Sequence, residues 1–263
     1  MIIAVVRLYD EEVGQGFLSV DPLAQEFAAH SAYSYVFNNP LLFIDPNGMA
    51  PDHIGVEEIY GEDENGNQVV TGYNITVTAK LINFSDNNVN LDKAVKHITN
   101  YIEDAFQGEF DGKTVSTNLI LSVAETMGDV SESDHLFVLA EPDSGGAVGE
   151  VNDYGGLVAF IDADYFTGWY DVLIGERGEN ISAHELGHLF DLRHTDDGLM
   201  RGFGSGGDKL ESWELRRIIG SYNRGMLNQG PNTGPNGLPN TGNGHIDTGW
   251  DVDFIMTNTE GRF

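Results

Sequence analysis

The sequence predicts an α+β fold: one sheet, two helices associated with it and a third helix near the C-terminal end. Three observations carry this. Residues Val70 to Ile82 alternate apolar and polar positions through Tyr73-Asn74-Ile75-Thr76-Val77-Thr78, the period of a half-buried strand. Leu91, Val95, Ile98, Ile102 and Phe106 recur at helical spacing on one stripe. Four shorter β-rich runs then follow, separated by turn-forming residues.

Taken in order, Asn90 is placed to cap a helix from Leu91 to about Phe106, which Gly108 would end. Thr114 to Val123 and His135 to Ala140 read as strands. Ala147 to Val151 and Gly156 to Ile161 read as two more, joined by the turn Asn152-Asp153-Tyr154-Gly155. An aromatic loop from Asp164 to Gly178 leads into a helix expected to begin near Asn180. Asp208 can cap a final helix from about Leu210 to Leu227, with Leu210, Trp213, Leu215, Ile218, Ile219 and Tyr222 facing the core. The run Asn228 to Gly249 is rich in Asn, Gly, Pro and Thr and is expected to bury too little apolar surface to order itself. Trp250 to Phe263 is expected to dock as a short strand or remain loose.

With 263 residues the chain can bury a sizeable core in one large or two small domains. Its 13 basic against 42 acidic residues give a net charge of -29. Such a surface repels nucleic acid and anionic membrane, so neither is expected as a partner. Structural Ca²⁺ held by oxygen ligands is conceivable in so acidic a chain, but no Asp-x-Asp-x-Asp-Gly loop makes it specific. With Cys at 0, disulfides and thiolate metal sites are excluded. Met1 to Val6 is apolar but too short and uncharged for a signal peptide, and no run approaches the length of a membrane span. Export, if it occurs, is expected to depend on another segment or system.

Residues 184 to 194 read His-Glu-Leu-Gly-His-Leu-Phe-Asp-Leu-Arg-His, with Met200 beyond. On a helix, residues four apart share a face, so His184 and His188 can turn their rings to one ion. Glu185, one position round, can reach a water beside that ion. His194 can join only if the helix stops near Asp191 or Leu192 and the chain turns back. Three imidazoles with an open fourth position are a catalytic donor set for zinc. An accidental His-Glu-x-x-His arises in roughly one such chain in fifty, but the third His and the following Met make accident far rarer.

This stretch resembles the signature of the metzincin clan of zinc endopeptidases, His-Glu-x-x-His-x-x-Gly-x-x-His followed by a Met-turn. The resemblance implies His184, His188 and His194 as Zn²⁺ ligands, Glu185 as general base and Met200 as the Met-turn residue. It also implies the finer fold: a twisted, mostly parallel five-stranded sheet, two helices including the active-site helix, then a Met-turn and a C-terminal helix. The segment from His194 to Met200 is similar in length to that of matrixin-like members. Gly202, two residues after Met200, excludes the extra tyrosine ligand of astacin-like members. One position departs. The family's Gly, which leaves the helix with positive φ, falls on Asp191, among the few other residues tolerating that conformation.

A second resemblance lies upstream. Tyr9-Asp10, Phe17-Leu18-Ser19-Val20-Asp21-Pro22, Asn38-Asn39-Pro40 and Asp45-Pro46-Asn47-Gly48 follow one another in the order of the RHS repeat-associated core. The resemblance covers residues 8 to 50 and implies a module that precedes a variable toxin, with self-cleavage near Met49 and Ala50. Asp21 and Asp45 are the candidate carboxyl pair for that step. As plain turn formers, the two Asp-Pro units would have no such role.

The expected organisation is therefore 1–50 as the RHS-type segment, 51–68 as an acidic linker, 69–228 as the metallopeptidase domain and 229–263 as a Gly/Asn/Pro-rich tail. The expected activity is zinc-dependent hydrolysis of a protein or peptide substrate, which would add to the sheet edge at Ala147 to Val151. Phe203 is expected to help wall the pocket for the side chain after the scissile bond. The two resemblances together imply a secreted or delivered bacterial toxin with an immunity protein as partner. A catalytically degenerate zinc-binding or interaction module is the alternative, should Asp191 spoil the turn. His30, His53, His97, His135 and His245 are expected to have surface or packing roles only.

Overall fold

The computed structural model describes residues 9–10, 16–17, 54–131, 134–141, 148–167, 177–202 and 207–242. The chain divides into two compact units, Met1–Gly55 and Val56–Phe263. In the first, β1 (Tyr9–Asp10) and β2 (Gly16–Phe17) form a short antiparallel pair with Tyr9 opposite Phe17. Asp21, Asp45, the Pro40 to Gly48 run, Phe203, His30, His53, His245 and Trp250 to Phe263 all lie outside the described residues.

The second unit is built on a sheet of order β5-β6-β4-β7-β9-β8, with β3 also paired to β4. Its longest member is β4 (Gln68–Asn83), whose alternation buries Tyr73, Ile75, Val77, Ala79 and Leu81. Strand β6 (Lys113–Val123) runs parallel to β4 with Gly72 opposite Thr114 and Leu81 opposite Val123. On the other side, β7 (His135–Ala140) is parallel to the end of β4, and β9 (Val158–Asp162) is parallel to β7. All six residues of β7 are buried, as expected where helices or loops cover both faces. The sheet ends in β8 (Gly149–Val151), antiparallel to β9.

Two strands of this sheet were not foreseen. The 51–68 stretch, which reads as an acidic connection, contains β3 (Ile54–Glu62), and β5 (Gly108–Phe110) pairs antiparallel with β6. The turn between β3 and β4 is closed by Asp63, whose carboxylate accepts from the Asn65 and Asn67 backbone amides at 2.8 Å. Gly108 thus opens a strand, and the preceding helix ends without it.

That helix, α1 (Leu91–Ala105), starts where Asn90 accepts the Lys93 amide at 3.0 Å, and it buries Ala94, Ile98, Ile102 and Ala105. It packs against β6 and against α2 (Arg177–Leu189). The last helix, α3 (Ser212–Asn223), is shorter than expected, and Glu211 takes the cap position foreseen for Asp208. Its buried stripe is Leu215, Ile218 and Ile219. Trp213 is 51% exposed, because two residues from Leu215 is about 200° round a helix.

Part of the polar tail is ordered, contrary to the compositional expectation. Asn232 is fully buried, and its amide donates to the carbonyls of Ser131 and Asp134 at 2.6 and 2.7 Å. Leu238 packs on the cluster of Ile82, Leu136, Val138 and Phe160. A chain poor in apolar residues can order by satisfying buried carbonyls of the domain it crosses. Among the described residues no helix is long and apolar enough to cross a membrane.

Candidate metal centre

Helix α2 is buried around most of its circumference, including Glu179, Ser182, Glu185 and His188. It carries His184 and His188 one turn apart on one face, so their rings meet edge to face with centroids 4.7 Å apart. After Leu189 the chain leaves the helix through a two-bond end turn. The Asp191 amide donates to the His188 carbonyl at 2.9 Å, and the Leu192 amide donates to the Gly187 carbonyl at 3.0 Å. Asp191 has φ 61, the left-handed conformation its place in the motif called for. The turn returns His194 to the other two rings, at centroid distances of 5.2 Å from His184 and 4.8 Å from His188.

The three rings each offer one nitrogen, all within 4.8 Å of one another. His188 Nε2 lies 3.1 Å from His194 Nε2. Backbone carbonyls fix two of the tautomers. His184 Nδ1 lies 2.7 Å from the Leu199 carbonyl, and His188 Nδ1 lies 2.9 Å from the Leu192 carbonyl. A carbonyl only accepts, so each Nδ1 must carry the hydrogen, which leaves each Nε2 with a free lone pair. Burial depresses the proton affinity of all three rings. His188 is pushed down to about 3, by burial first and then by the neighbouring His184. Burial also lowers His184 and the more exposed His194. Neutral imidazole is the form that binds a metal, so this donor set fits a zinc ion. Among the described residues these histidines form the group that could hold a metal, and no carboxylate cluster for Ca²⁺ accompanies them.

Glu185 is 4% exposed, and its Oε2 has no hydrogen-bond partner among the described residues. Burial, with the charge of Glu150 second, raises its carboxyl well above the ordinary range. Edge strand β8 crosses directly over it: a Cβ on Gly149 would fall 2.5 Å from Glu185 Oε1 and 2.8 Å from Ile181 Cγ2. Only glycine lets the edge backbone come this close.

Met200 is fully buried, and a Cβ on Gly187 would fall 2.2 Å from its sulfur. The central glycine of the His-Glu-Leu-Gly-His run therefore makes room for Met200. The Met200 carbonyl accepts the Thr195 amide at 2.9 Å, which ties this turn to the residue after His194. A Cβ on Gly202 would fall 3.0 Å from the His194 ring, so only glycine fits there without pressing on it. His97 instead pairs with Glu179 at 3.4 Å, and His135 is fully buried in β7. Neither belongs to the centre.

Sequence reading missed the residues that hold this arrangement from outside. The Tyr154 ring meets His188 edge-on at 5.1 Å, and the Arg193 guanidinium lies 3.4 Å over the Tyr154 ring. The Gly155 amide donates to the His188 carbonyl at 3.0 Å. Arg217 and Ser221 of α3 reach the Asp191 carboxylate and carbonyl. Arg217 and Ser221 do share a helix face four apart, but nothing local connects them to a turn 26 and 30 residues away.

No protein-family model matches the chain, and no curated protein sequence matches it. Solved structures do match. The chain is similar to archaemetzincin from Methanopyrus kandleri, at TM-score 0.41 and 16% identity over 56% of this chain and 95% of that one. It is similar to metalloproteinase-II from Bacteroides fragilis, at TM-score 0.38 and 13% identity over 59% of this chain and 53% of that one. A structure described as a chaperone-substrate complex matches at TM-score 0.39 and 11% identity, over 65% of this chain and 37% of that one. At such scores these likenesses add no weight to the geometry of the site itself.

Proposed function

We propose that the chain is a zinc-dependent endopeptidase of metzincin type. The observation that carries this is three imidazoles whose ring nitrogens converge, two of them held by backbone carbonyls with the Nε2 lone pair free, beside a buried carboxyl that has a free oxygen. His184, His188 and His194 would hold the ion. When bound, zinc supplies a Lewis acid that acidifies water to a pKa near about 7 and polarises a carbonyl.

The chain's own groups do the rest. Glu185 takes a proton from water at its free Oε2 and returns it to the departing amine. Its raised proton affinity suits both halves of that exchange, since a carboxyl of ordinary strength would hold the proton poorly. The hydrogen bonds to the Leu199 and Leu192 carbonyls hold the imidazoles in one tautomer throughout. The outer edge of β8, passing over Glu185, can accept an extended substrate as an added strand and so aim a peptide bond at the centre. The turn at Leu199 and Met200 serves as the Met-turn, a firm apolar floor. Purified protein should hold one zinc per chain and cleave an unfolded test protein, and Glu185→Gln should abolish cleavage while keeping the metal. Absence of stoichiometric zinc, or full activity in Glu185→Gln, refutes the assignment.

The order of motifs in residues 8 to 50 supports a setting for this enzyme as the toxin module of an RHS-type protein, delivered by a bacterial export system and restrained by an immunity partner. Expression in a naive bacterium, directed to the cytoplasm or the periplasm, should slow growth for the active chain and not for Glu185→Gln. Equal growth of both in either compartment sinks the toxin role and leaves the peptidase assignment standing.

A further inference from the structure

We infer that Asp191 is a positioning residue for the third ligand: its carboxylate, clamped by α3, locks the turn that holds His194 at the metal centre. This rests on the metal-site assignment above and concerns the one position where the sequence departs from the expected glycine. A glycine would take the left-handed turn without strain, whereas Asp takes it at φ 61 with its side chain 4% exposed. A solvated Asp would serve the turn equally well, so the burial needs its own cause. The Ser221 hydroxyl donates to Asp191 Oδ2 at 3.0 Å, and Arg217 Nη2 lies 3.6 Å from the same oxygen. Arg193 Nη2 approaches Oδ1 at 3.7 Å. Arg217 also donates through Nε to the Asp191 backbone carbonyl at 3.2 Å, so one guanidinium holds both the side chain and the main chain of the turn. Ser221 is fully buried and is itself held by Arg224 at 3.1 Å.

The clamp acts on the centre by two routes. Leu192, next in the chain, supplies the carbonyl that fixes His188, and His194 follows two residues later. Arg193, between them, is drawn toward Asp191 on one side and over Tyr154 on the other, and Tyr154 backs the His188 ring. A turn with this clamp has one conformation, while the same turn with glycine and no carboxylate has many. The ordering cost of the third ligand is then met at folding, before metal arrives.

The test is zinc affinity by chelator competition on the full chain, with cobalt absorption reporting how many ligands close on the metal. Asp191→Gly leaves the backbone unstrained and removes only the clamp. It is expected to weaken zinc about 10- to 100-fold, the usual effect of losing a group that orients a ligand. Asp191→Asn, which keeps an acceptor for Ser221 and tolerates the same φ, is expected to recover much of that loss. Arg217→Met should reproduce the Asp191→Gly effect. In a His194→Ala background, Asp191→Gly should cost clearly less, only the share carried through His188, whereas a general loss of structure would cost the same in both backgrounds. Unchanged affinity in Asp191→Gly, or an equal loss with and without His194, overturns the clamp. Failure of the wild-type chain to bind zinc overturns the metal site and the clamp together.

Discussion

The helix and the turn deliver ligands to the same point by different physics. His184 and His188 sit on α2, whose buried faces bring both rings to one side, and carbonyls beyond the helix end, those of Leu199 and Leu192, then orient them. His194 sits beyond the helix end, is exposed, and reaches its place through a left-handed residue, a guanidinium clamp and the close approach of Gly202. Two ligands are thus placed by the helix and only oriented from outside it, whereas the third owes its position itself to tertiary contacts made by α3 and the Met200 turn. The largest test separates them. His188→Ala should abolish zinc binding and hydrolysis, removing a ligand and opening a hole beside Tyr154. Removing a ligand should cost more than the roughly 10- to 100-fold that follows loss of an orienting group. His194→Ala should also lose activity but retain measurable zinc, with thermal stability close to wild type. Equal zinc loss in the two variants, by chelator competition, breaks the distinction.

Two glycines, one on the strand that crosses α2 and one within α2, give the next two effects. Gly149→Ala puts a methyl where Glu185 Oε1 lies and should swing that carboxylate away. Turnover should fall about 10²-fold or more, the range for losing a proton-transfer group, while zinc affinity stays the same. Retained turnover with the same zinc content would mean that Glu185 moves aside freely. Gly187→Ala presses instead on the Met200 sulfur. Overpacking there should cost about 1–3 kcal/mol in denaturant unfolding and loosen zinc modestly, since the displaced Met200 turn also carries the Leu199 carbonyl that orients His184. An unchanged unfolding midpoint would show the floor to be compliant.

The same division between local and distant causes decides what could be read in the sequence. The spacing of His184, Glu185, His188 and His194 is a statement about one helix and one turn, so it carried both the convergence of the rings and the positive φ at Asp191. The main strands were legible for a similar reason, because alternation such as that of Tyr73 to Leu81 is local. What holds these parts was not. Asn232 binds carbonyls 98 and 101 residues away, so a tail that reads as disordered is partly fixed. Ile54–Glu62 reads as a polar connection because the strand it forms has a largely exposed face, with no apolar alternation to reveal it. Trp213 reads as core by its chemistry and is exposed by its helical phase.

Asn232→Ala probes that distant class of support. It strips partners from two carbonyls and should cost about 1–3 kcal/mol of stability without changing zinc affinity, since it touches neither the helix nor the turn. Loss of zinc in this variant would show that the tail and the centre are coupled, and would blur the contrast drawn above.

The smallest effect lies in the helix that clamps the turn. Glu214 is fully buried in the first turn of α3; its Oε2 accepts the Glu211 amide at 2.7 Å, and its Oε1 has no partner among the described residues. Burial, the largest cause, raises its proton affinity above the ordinary 4.5, against the lowering effect of the Glu211 amide. A carboxyl whose folded pKa is raised binds its proton more tightly in the folded than in the unfolded chain. Its contribution is therefore fully present below pH 4.5 and is lost as pH rises through the folded value. Glu214→Gln keeps the acceptor for Glu211 and removes the charge. Denaturant titrations should find the variant and the wild type alike at pH 4, with the variant gaining as pH rises toward 7. A variant that instead falls behind the wild type as pH rises would mean that Glu214 is ionised and paired, and that α3 holds the Asp191 turn with a buried charge at its own first turn.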